Sequence, residues 1–382
     1  MRRFLLWLVA ALIAVPSARA LPVSVQQLEH KIATTHEADA AMARELGVLQ
    51  LTERLNWAKF KELEKQLPGQ QSREVLLAIV DTSQFLAPPR NGAAPQAPPG
   101  RAEQEHIIDK ARAYVRGVLP LRPNFVAVRH ILRYQNRGIE YGSDVFTGGA
   151  EMSGPPLMPV GSDTDTVRYV DGRETENEQA QANGFASRSG SLDTSGTFGA
   201  ILGTILNDTA HRRAQWVRWE PGEQGPLAVF RFDVSKRQSH YEVNYCCVSS
   251  DVFTHVDPAT GIFHDNAGYR AEIAVEPATG VIVRLALDAP MSEFTPLRRV
   301  AVLVEYGPVT IAGKSYICPV HSVTITSAPV NPQVHMWSVG ETPDLRRVNV
   351  VTDTRFTGYK RFAGEMRIVT DLPQAPPSQS PR

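Results

Sequence analysis

The sequence lacks the motifs that mark the common nucleotide-binding and catalytic sites. Neither Gly-x-Gly-x-x-Gly nor the Walker pattern, whose backbone amides cradle phosphates, occurs in its 382 residues. The Ser/Gly-rich stretch at 187–197 does not contain the Gly-x-Ser-x-Gly elbow that presents a nucleophilic serine, and we interpret it as a loop. The sequence therefore predicts no cofactor.

A cationic surplus is also missing, and so is a second long apolar run. The chain has 40 basic and 40 acidic residues. Cleavage after Ala20 would remove Arg2, Arg3 and Arg19, leaving 37 basic residues against 40 acidic ones. Because nucleic-acid binding relies on clustered positive charge, this balance argues against a nucleic-acid partner. No later segment approaches the roughly 20 apolar residues of a membrane-spanning helix.

The first 20 residues have the pattern of a signal peptide. Two arginines precede an apolar stretch at 4–15, Pro16 follows it, and residues 17–20 form a small-x-small cleavage site. An uncleaved anchor is the alternative. Lipid attachment is disfavoured because Leu21, and not a cysteine, follows the cleavage point. We expect a periplasmic or secreted protein without a transmembrane anchor after cleavage.

The chain has only three cysteines, an odd number for an exported protein. Cys246 and Cys247 are adjacent, and no Cys-x-x-Cys redox pattern is present. A disulfide from Cys318 to Cys246 or Cys247 would close a loop of about seventy residues and add roughly 3–4 kcal/mol of stability. Three buried thiols are the alternative.

The mature N-terminus has the spacing of short amphipathic helices. Ser24 and Thr34 each stand three residues before a Gln or Glu, which is the capping-box pattern of a helix start. Apolar residues then recur at helical spacing up to residue 86. We predict a helical subdomain at 21–87, followed by a Pro/Gly/Ala-rich linker at 88–103.

From residue 123 the apolar period changes from that of a helix to that of a strand. Strand after strand alternates an apolar and a charged position, as in Val281–Asp288, which predicts an antiparallel sheet with one solvated face. Residues 140–163 are rich in Gly, Ser and Pro and predict a long loop. The sequence thus predicts an α+β fold with an antiparallel β-domain at 104–370 and a disordered tail at 371–382.

Two segments resemble the half-barrel fold of the periplasmic outer-membrane lipoprotein carriers. They are AEIAVEPATGVIVRLAL (271–287) and VEYGPVTIAGKSYICPVHSVTI (304–325). The whole mature chain is also similar to an uncharacterised family of secreted bacterial proteins, through segments such as LQLTERLNWAKFKELEKQLPG (49–69). The carrier resemblance implies a curved sheet with a few covering helices, which binds acyl chains without chemistry.

The histidines offer a weak signal for a metal or catalytic site. His255, Asp257, His264 and Asp265 lie close together in the sequence, and carboxylate-oriented imidazoles can bind zinc or transfer protons. Three or four converging ligands would be needed for a metal, and no second pair is spaced for it. We interpret these residues as polar loop positions and predict no metal site and no catalytic residue.

A group of aromatic residues on three consecutive strands is the candidate ligand site. These residues either line an apolar cavity or fill a packed core, and they are Trp216, Trp219, Phe230, Phe232, Tyr241 and Tyr245. The leading hypothesis is a non-catalytic exported protein that binds a hydrophobic ligand, either a lipid or a lipoprotein acyl chain. The alternatives are an envelope protein-interaction or structural module without a cavity, and a secreted hydrolase.

Overall fold

The computed structural model describes residues 21–89, 96–117, 119–136, 157–176, 191–192, 199–210, 212–246, 248, 253–292, 295–329 and 347–362. The predicted signal peptide at 1–20 and the predicted tail at 371–382 lie outside these described residues. Within them, no helix is long and apolar enough to cross a membrane.

Six helices lie in the described part of the chain, four of them before the predicted linker. They are α1 (Val25–Thr34), α2 (Asp39–Gly47), α3 (Trp57–Glu64), α4 (Gln70–Ser83), α5 (Arg101–Gly117) and α6 (Ala200–Asp208). Two short parallel strands, β1 (Leu21–Val23) and β2 (Leu49–Leu51), accompany the first four helices. We call β1, β2 and α1–α4 together the N-terminal helical group.

The start of α2 differs from the sequence prediction. Ser24 caps α1 through the predicted capping box, but the box predicted at Thr34 is wrong, because α2 begins at Asp39 without a side-chain cap. The Asp39 carboxylate instead accepts hydrogen bonds from the backbone amides of Gln71 and Ser72, at 3.0 and 2.9 Å. It therefore caps α4, a neighbouring helix, and a tertiary contact replaces the local one.

A ten-stranded antiparallel sheet forms the body of the protein. Its strands, in spatial order, are β5 (Arg173–Glu176), β4 (Leu157–Val170), β3 (Phe125–Asn136), β15 (Arg347–Arg361), β14 (Lys314–Pro329), β13 (Arg299–Ile311), β12 (Ile282–Pro290), β11 (Tyr269–Val275), β8 (Gly225–Val234) and β7 (Gln215–Gly222). A second sheet contains β10 (Phe263–Asn266), β9 (Glu242–Cys246) and β6 (Ser191–Leu192). The large sheet is open, with β5 and β7 at its edges, and the predicted α+β class is confirmed.

The predicted loop at 140–163 is wrong for residues 157–163. Strand β4 begins at Leu157 and pairs with β3 from Asn136↔Leu157 to Phe125↔Tyr169. The long β3 offers a complete row of backbone partners, and this pairing outweighs a composition that is poor for strands. Residues 137–156 lie outside the described part of the chain.

Both faces of the large sheet carry packed layers, whereas the sequence predicted one solvated face. Helices α5 and α6 cover one face in a core that includes Phe230 and Leu285. The N-terminal helical group covers the opposite face, where Leu303, Val323 and Val351 are buried against it. The prediction was wrong because alternation shows which residues share a face, but not that a separate group of helices covers the more polar one.

Cys318 is a free, buried thiol, so the predicted bridge to Cys246 or Cys247 is wrong. Its side chain packs in a small apolar cluster with Phe125, Ile311 and Phe356. Cys246 is disulfide-bonded, although not to Cys318, and residue 247 lies outside the described residues.

Candidate functional site

A row of polar side chains crosses the sheet on the face beneath the N-terminal helical group. The strand register places Arg284 opposite Glu305, Glu305 opposite His321, His321 opposite Arg355, and Arg355 opposite His130. Residues directly opposite each other in antiparallel strands project from the same face. The row therefore runs across β12, β13, β14, β15 and β3, from the buried Arg284 to the exposed His130.

His321 lies at the centre of this row, between three carboxylates. Its Nδ1 atom lies 2.9 Å from Glu305 Oε2, and its Nε2 atom lies 3.3 Å from Asp353 Oδ2. Asp81, which projects from α4, places Oδ1 3.8 Å from the same Nε2 atom. His321, Asp81 and Asp353 are only 6 %, 0 % and 1 % exposed. We call Asp81, His321 and Asp353 the buried triad.

Helix α3 fixes the Glu305 side of the imidazole. The Trp57 indole donates a hydrogen bond from Nε1 to Glu305 Oε2 at 2.9 Å. The same indole meets the His321 ring edge-on, with centroids 4.8 Å apart, and the Arg355 guanidinium lies 5.5 Å from the indole centroid. Because Glu305 accepts from both Trp57 and His321, the orientation of the imidazole is set from its Nδ1 side.

Several polar atoms around the triad have no hydrogen-bond partner within the described chain. They are both carboxylate oxygens of Asp81, Oδ1 of Asp353 and the hydroxyl of Tyr134. A buried polar group without a partner costs about 1–3 kcal/mol, and such groups are rare in folded proteins. Among the described residues, most of the buried side-chain atoms that lack a hydrogen-bond partner therefore lie in this cluster.

The electrostatics of the triad are strongly perturbed. Burial and the neighbouring Asp353 carboxylate raise the pKa of Asp81 well above its usual value. Burial disfavours the imidazolium of His321, but the hydrogen bonds to Asp353 and Glu305 outweigh it and raise the pKa to about 10. At neutral pH His321 is therefore charged in the ion-free cluster, while burial and Asp353 favour the neutral form of Asp81.

A second buried cluster of charges lies on the same face. The Glu220 carboxylate accepts hydrogen bonds from Arg54 Nη1 at 2.8 Å, from Arg284 Nη2 at 2.8 Å and from Arg218 Nε at 2.8 Å. Arg54 belongs to the N-terminal helical group, and its Nε donates to the Leu86 carbonyl at 3.0 Å. This cluster joins the helical group to the sheet, and all three guanidiniums donate to the Glu220 carboxylate, so we assign it a structural role.

A cleft of about 780 Å³ opens where β8 and β12 end and where β11 and β13 begin. Most of its wall is apolar. The apolar residues that line it are Val234, Ala267, Tyr269, Pro290 and Met291. A volume of this size falls within the range of pockets that bind small molecules.

The charged residues of the cleft leave a cationic surplus. Each of its three aspartates has a basic partner at 2.6–2.8 Å; the pairs are Asp233 with Arg270, Asp265 with Lys236 and Asp288 with Arg299. Arg212, which also lines the cleft, donates to the Asp233 backbone carbonyl and to the Gln238 side chain. The guanidinium of Arg298 has no polar partner in the described chain. Arg212 and Arg298 are therefore not matched by a carboxylate.

Comparisons with known proteins give little guidance. No family model matches the chain, and no curated protein matches it. One solved structure, a DUF1329 family protein from Desulfovibrio piger, is similar at 10 % identity with a TM-score of 0.27. That match covers 70 % of this chain and 95 % of the other. A likeness this distant is consistent with an uncharacterised family and carries no argument about function, and the resemblance to lipoprotein carriers stays a prediction.

The six aromatic residues that the sequence suggested as a ligand site lie in one apolar core. Trp219, Phe230, Phe232 and Tyr245 are buried there, and Trp216 and Tyr241 are partly buried against it. The Trp216 ring lies 4.9 Å from Trp219 and 5.6 Å from Phe230. None of the six lines the 780 Å³ cleft, although Phe230 borders a smaller one of about 280 Å³ beside α5.

Three of the four residues considered for metal or catalysis, His264, Asp265 and Asp257, have side-chain contacts that do not join them to one another. His264 Nδ1 lies 2.6 Å from Asn244 Oδ1, and the Asp265 carboxylate accepts from Lys236. Asp257 accepts from the Ala259 amide and the Thr260 hydroxyl of its own turn. His255 and Asp257 lie outside the strands as expected, but His264 and Asp265 belong to β10, so the loop interpretation is wrong for these two residues.

The sequence prediction did not include the buried triad. Its members come from α4, β14 and β15, so no spacing along the chain connects them. One weak signal was present: Asp81 is the only charged residue between Val75 and Leu86, a segment that begins with six apolar residues. A lone acid in such a run is a candidate for a buried functional group.

Proposed function

We propose that this protein is an exported, non-catalytic binding protein for an anionic amphiphile, a molecule with one acyl chain and a carboxylate or phosphate head group. The observation that carries the proposal is the position of Arg298, which lines a mostly apolar cleft and has no polar side-chain partner among the described residues. This proposal keeps the hydrophobic ligand that the sequence suggested but places it in the cleft and not among the six aromatic residues.

The apolar wall supports binding of an acyl chain. Val234, Tyr269 and Met291 line a cleft of about 780 Å³, and transfer of each methylene group from water contributes about 0.8 kcal/mol. The cleft is open along one side, so a chain can lie in it while its head group remains at the edge. Tyr269 is held in place because its hydroxyl donates to Asp208 Oδ2 at 2.9 Å.

The charges support an anionic head group. Arg212 and Arg298 lack carboxylate partners among the described residues, so an incoming anion would not have to break an existing ion pair. A guanidinium can donate two parallel hydrogen bonds to a carboxylate or a phosphate. A neutral amphiphile would leave both arginines uncompensated.

The same ion pairs support binding without catalysis. Asp233, Asp265 and Asp288 are each held by a basic side chain, so the described cleft offers no unpaired carboxylate as a general base. Export rests on the signal-peptide pattern of residues 1–20 and is part of the proposal.

The test is a binding titration of the mature protein with oleate and with oleyl alcohol, followed by native mass spectrometry. The two probes share a chain and differ in charge. We expect one oleate per chain and weaker binding of the alcohol. Arg298→Gln should weaken oleate binding about tenfold or more, since a hydrogen bond to a charged group contributes about 1.5–3 kcal/mol, and should leave alcohol binding unchanged.

Two further variants complete the design. Met291→Asp places a charge in the apolar wall and should abolish the uptake of both probes. Arg116→Gln is the matched control, because Arg116 is an exposed arginine on α5, outside the cleft, and should change nothing. Uptake of neither probe by the unmodified protein would contradict the proposal and favour a protein-interaction module.

A further inference from the structure

The donor atoms of the buried triad are arranged as the ligands of one metal ion. One nitrogen of His321 and one carboxylate oxygen each of Asp81 and Asp353 lie within 4.8 Å of one another. The individual distances from Nε2 are 3.3 Å to Asp353 and 3.8 Å to Asp81. Ligand atoms of a tetrahedral zinc site are separated by about 3.3 Å, given bond lengths of roughly 2.0–2.1 Å.

Asp81 supplies a second, independent observation. It is 0 % exposed, it projects from α4 toward Nε2 of His321, and neither of its oxygens has a hydrogen-bond partner in the described chain. A buried carboxylate that accepts no hydrogen bond is costly, and proteins keep buried charges where they are paired or where they coordinate metal. Asp353 Oδ1 shares this lack of a hydrogen-bond partner.

The contacts behind His321 are those of a metal-bound imidazole. Ligating histidines usually donate their other ring N–H to a carboxylate, which fixes the tautomer and directs the free lone pair at the metal. Glu305 Oε2 lies 2.9 Å from Nδ1 of His321 and also accepts a hydrogen bond from the Trp57 indole. With Nδ1 engaged in this way, Nε2 is the atom that faces the two aspartates.

We propose that Asp81, Asp353 and Nε2 of His321 bind one Zn²⁺ ion between α4 and the sheet. One imidazole and two carboxylates form a mixed donor set that suits zinc, whereas calcium takes six to eight oxygen ligands. A water molecule would supply the fourth ligand. The ion joins the N-terminal helical group to β14 and β15, so its role is structural and separate from the cleft.

The test uses the untagged mature protein after dialysis against EDTA, titrated with ZnCl2 by calorimetry and weighed by native mass spectrometry. We expect one Zn²⁺ per chain and a rise in the melting temperature on its addition. Co²⁺ should give the intense visible absorption of a tetrahedral site. Glu305→Gln should weaken zinc binding about 10–100-fold, because it alters the contact that orients the imidazole.

Asp81→Asn is the decisive variant. It keeps the size of the side chain and removes a buried carboxyl group that has no hydrogen-bond partner among the described residues, so the metal-free variant should melt at the same temperature or higher. It should nevertheless lose the stoichiometric ion and the zinc-dependent rise, and Asp353→Asn should lose them too. Asp109→Asn, an exposed acid on α5, is the matched control and should bind zinc as the unmodified protein does.

The opposite results are equally clear. The proposal is overturned if the unmodified protein binds no Zn²⁺ at one ion per chain, or if Asp81→Asn and Asp353→Asn bind it with unchanged affinity. The second outcome would place the ion on surface groups. Neither result bears on the cleft, because the triad and the cleft share no residue.

Discussion

Arg284 donates two hydrogen bonds to the Glu220 carboxylate, at 2.8 and 2.9 Å, although the two residues are only 7 % and 4 % exposed. Arg54, from the N-terminal helical group, binds the same carboxylate. Glu220, on the edge strand β7, thus pairs both with Arg284 of the sheet and with Arg54 of the helical group. This contact ties the covering helices to the sheet over the polar row.

Replacement of Glu220 should be strongly destabilising. Glu220→Gln leaves the buried guanidinium of Arg284 without its counter-ion, and removal of one partner of a buried pair costs about 3–5 kcal/mol. Urea denaturation would measure the change in the free energy of unfolding. Glu223→Gln, at an exposed position of the neighbouring turn, is the control and should change it little. A loss below about 1 kcal/mol for Glu220→Gln would contradict the assigned role.

The same carboxylate should make stability depend on pH in the acid range. Burial opposes ionisation of Glu220, but Arg284 and Arg54 outweigh it and lower the pKa to about 2, from 4.5 in the unfolded chain. A lowered pKa adds stability that is complete above the unfolded value and is lost as the pH falls toward the folded value.

The measurement is the difference in unfolding free energy between the unmodified protein and Glu220→Gln, followed from pH 7 to pH 2. We expect it to stay constant down to about pH 5 and then to shrink by about 3 kcal/mol. A difference that does not change between pH 5 and pH 2 would show that Glu220 has an ordinary pKa.

The sequence predicted the class of the fold because local patterns determine it. Alternation in Val281–Asp288 indicated strands, and the capping box at Ser24 indicated the first helix. The sequence did not predict that the N-terminal helical group covers the polar face of the sheet. The contacts that fix this packing, such as Asp39 with Ser72 and Arg54 with Glu220, join positions far apart in the chain. Arg284 was assigned to a solvated face for this reason.

The candidate sites were harder to predict than the fold. The aromatic residues were selected because they are large and alternate, but a filled core needs the same pattern as a cavity wall. The triad has no pattern at all, since its geometry arises only when α4 lies across β14 and β15. Nothing in the sequence distinguishes Arg298 from other arginines. Only its position in the cleft of the folded protein makes it a candidate.

Cys318 should behave as an inert core residue. Burial raises the pKa of its thiol to about 11, and the thiolate is the form that reacts. Iodoacetamide should therefore leave Cys318 unmodified in the native protein and alkylate it in 6 M guanidinium without a reductant, as read by peptide mass spectrometry. Failure to alkylate it in the unfolded, unreduced protein would restore the disulfide that the structure contradicts.

Tyr134→Phe should not destabilise the metal-free protein. The Tyr134 hydroxyl is buried without a hydrogen-bond partner, so its removal eliminates an unsatisfied group and should leave the free energy of unfolding unchanged or raise it by up to about 1 kcal/mol. The midpoint of urea unfolding in EDTA gives the answer. A loss of more than about 1 kcal/mol would reveal a partner for the hydroxyl that this account omits.

The most direct test of the central claim is the mass of the protein as its own cell produces it. The protein would be purified from its native cells without detergent, weighed by native mass spectrometry and extracted for lipids. We predict one bound anionic amphiphile per chain, which exchanges for added oleate and is absent from Met291→Asp. A ligand-free mass together with no uptake of oleate would contradict the account.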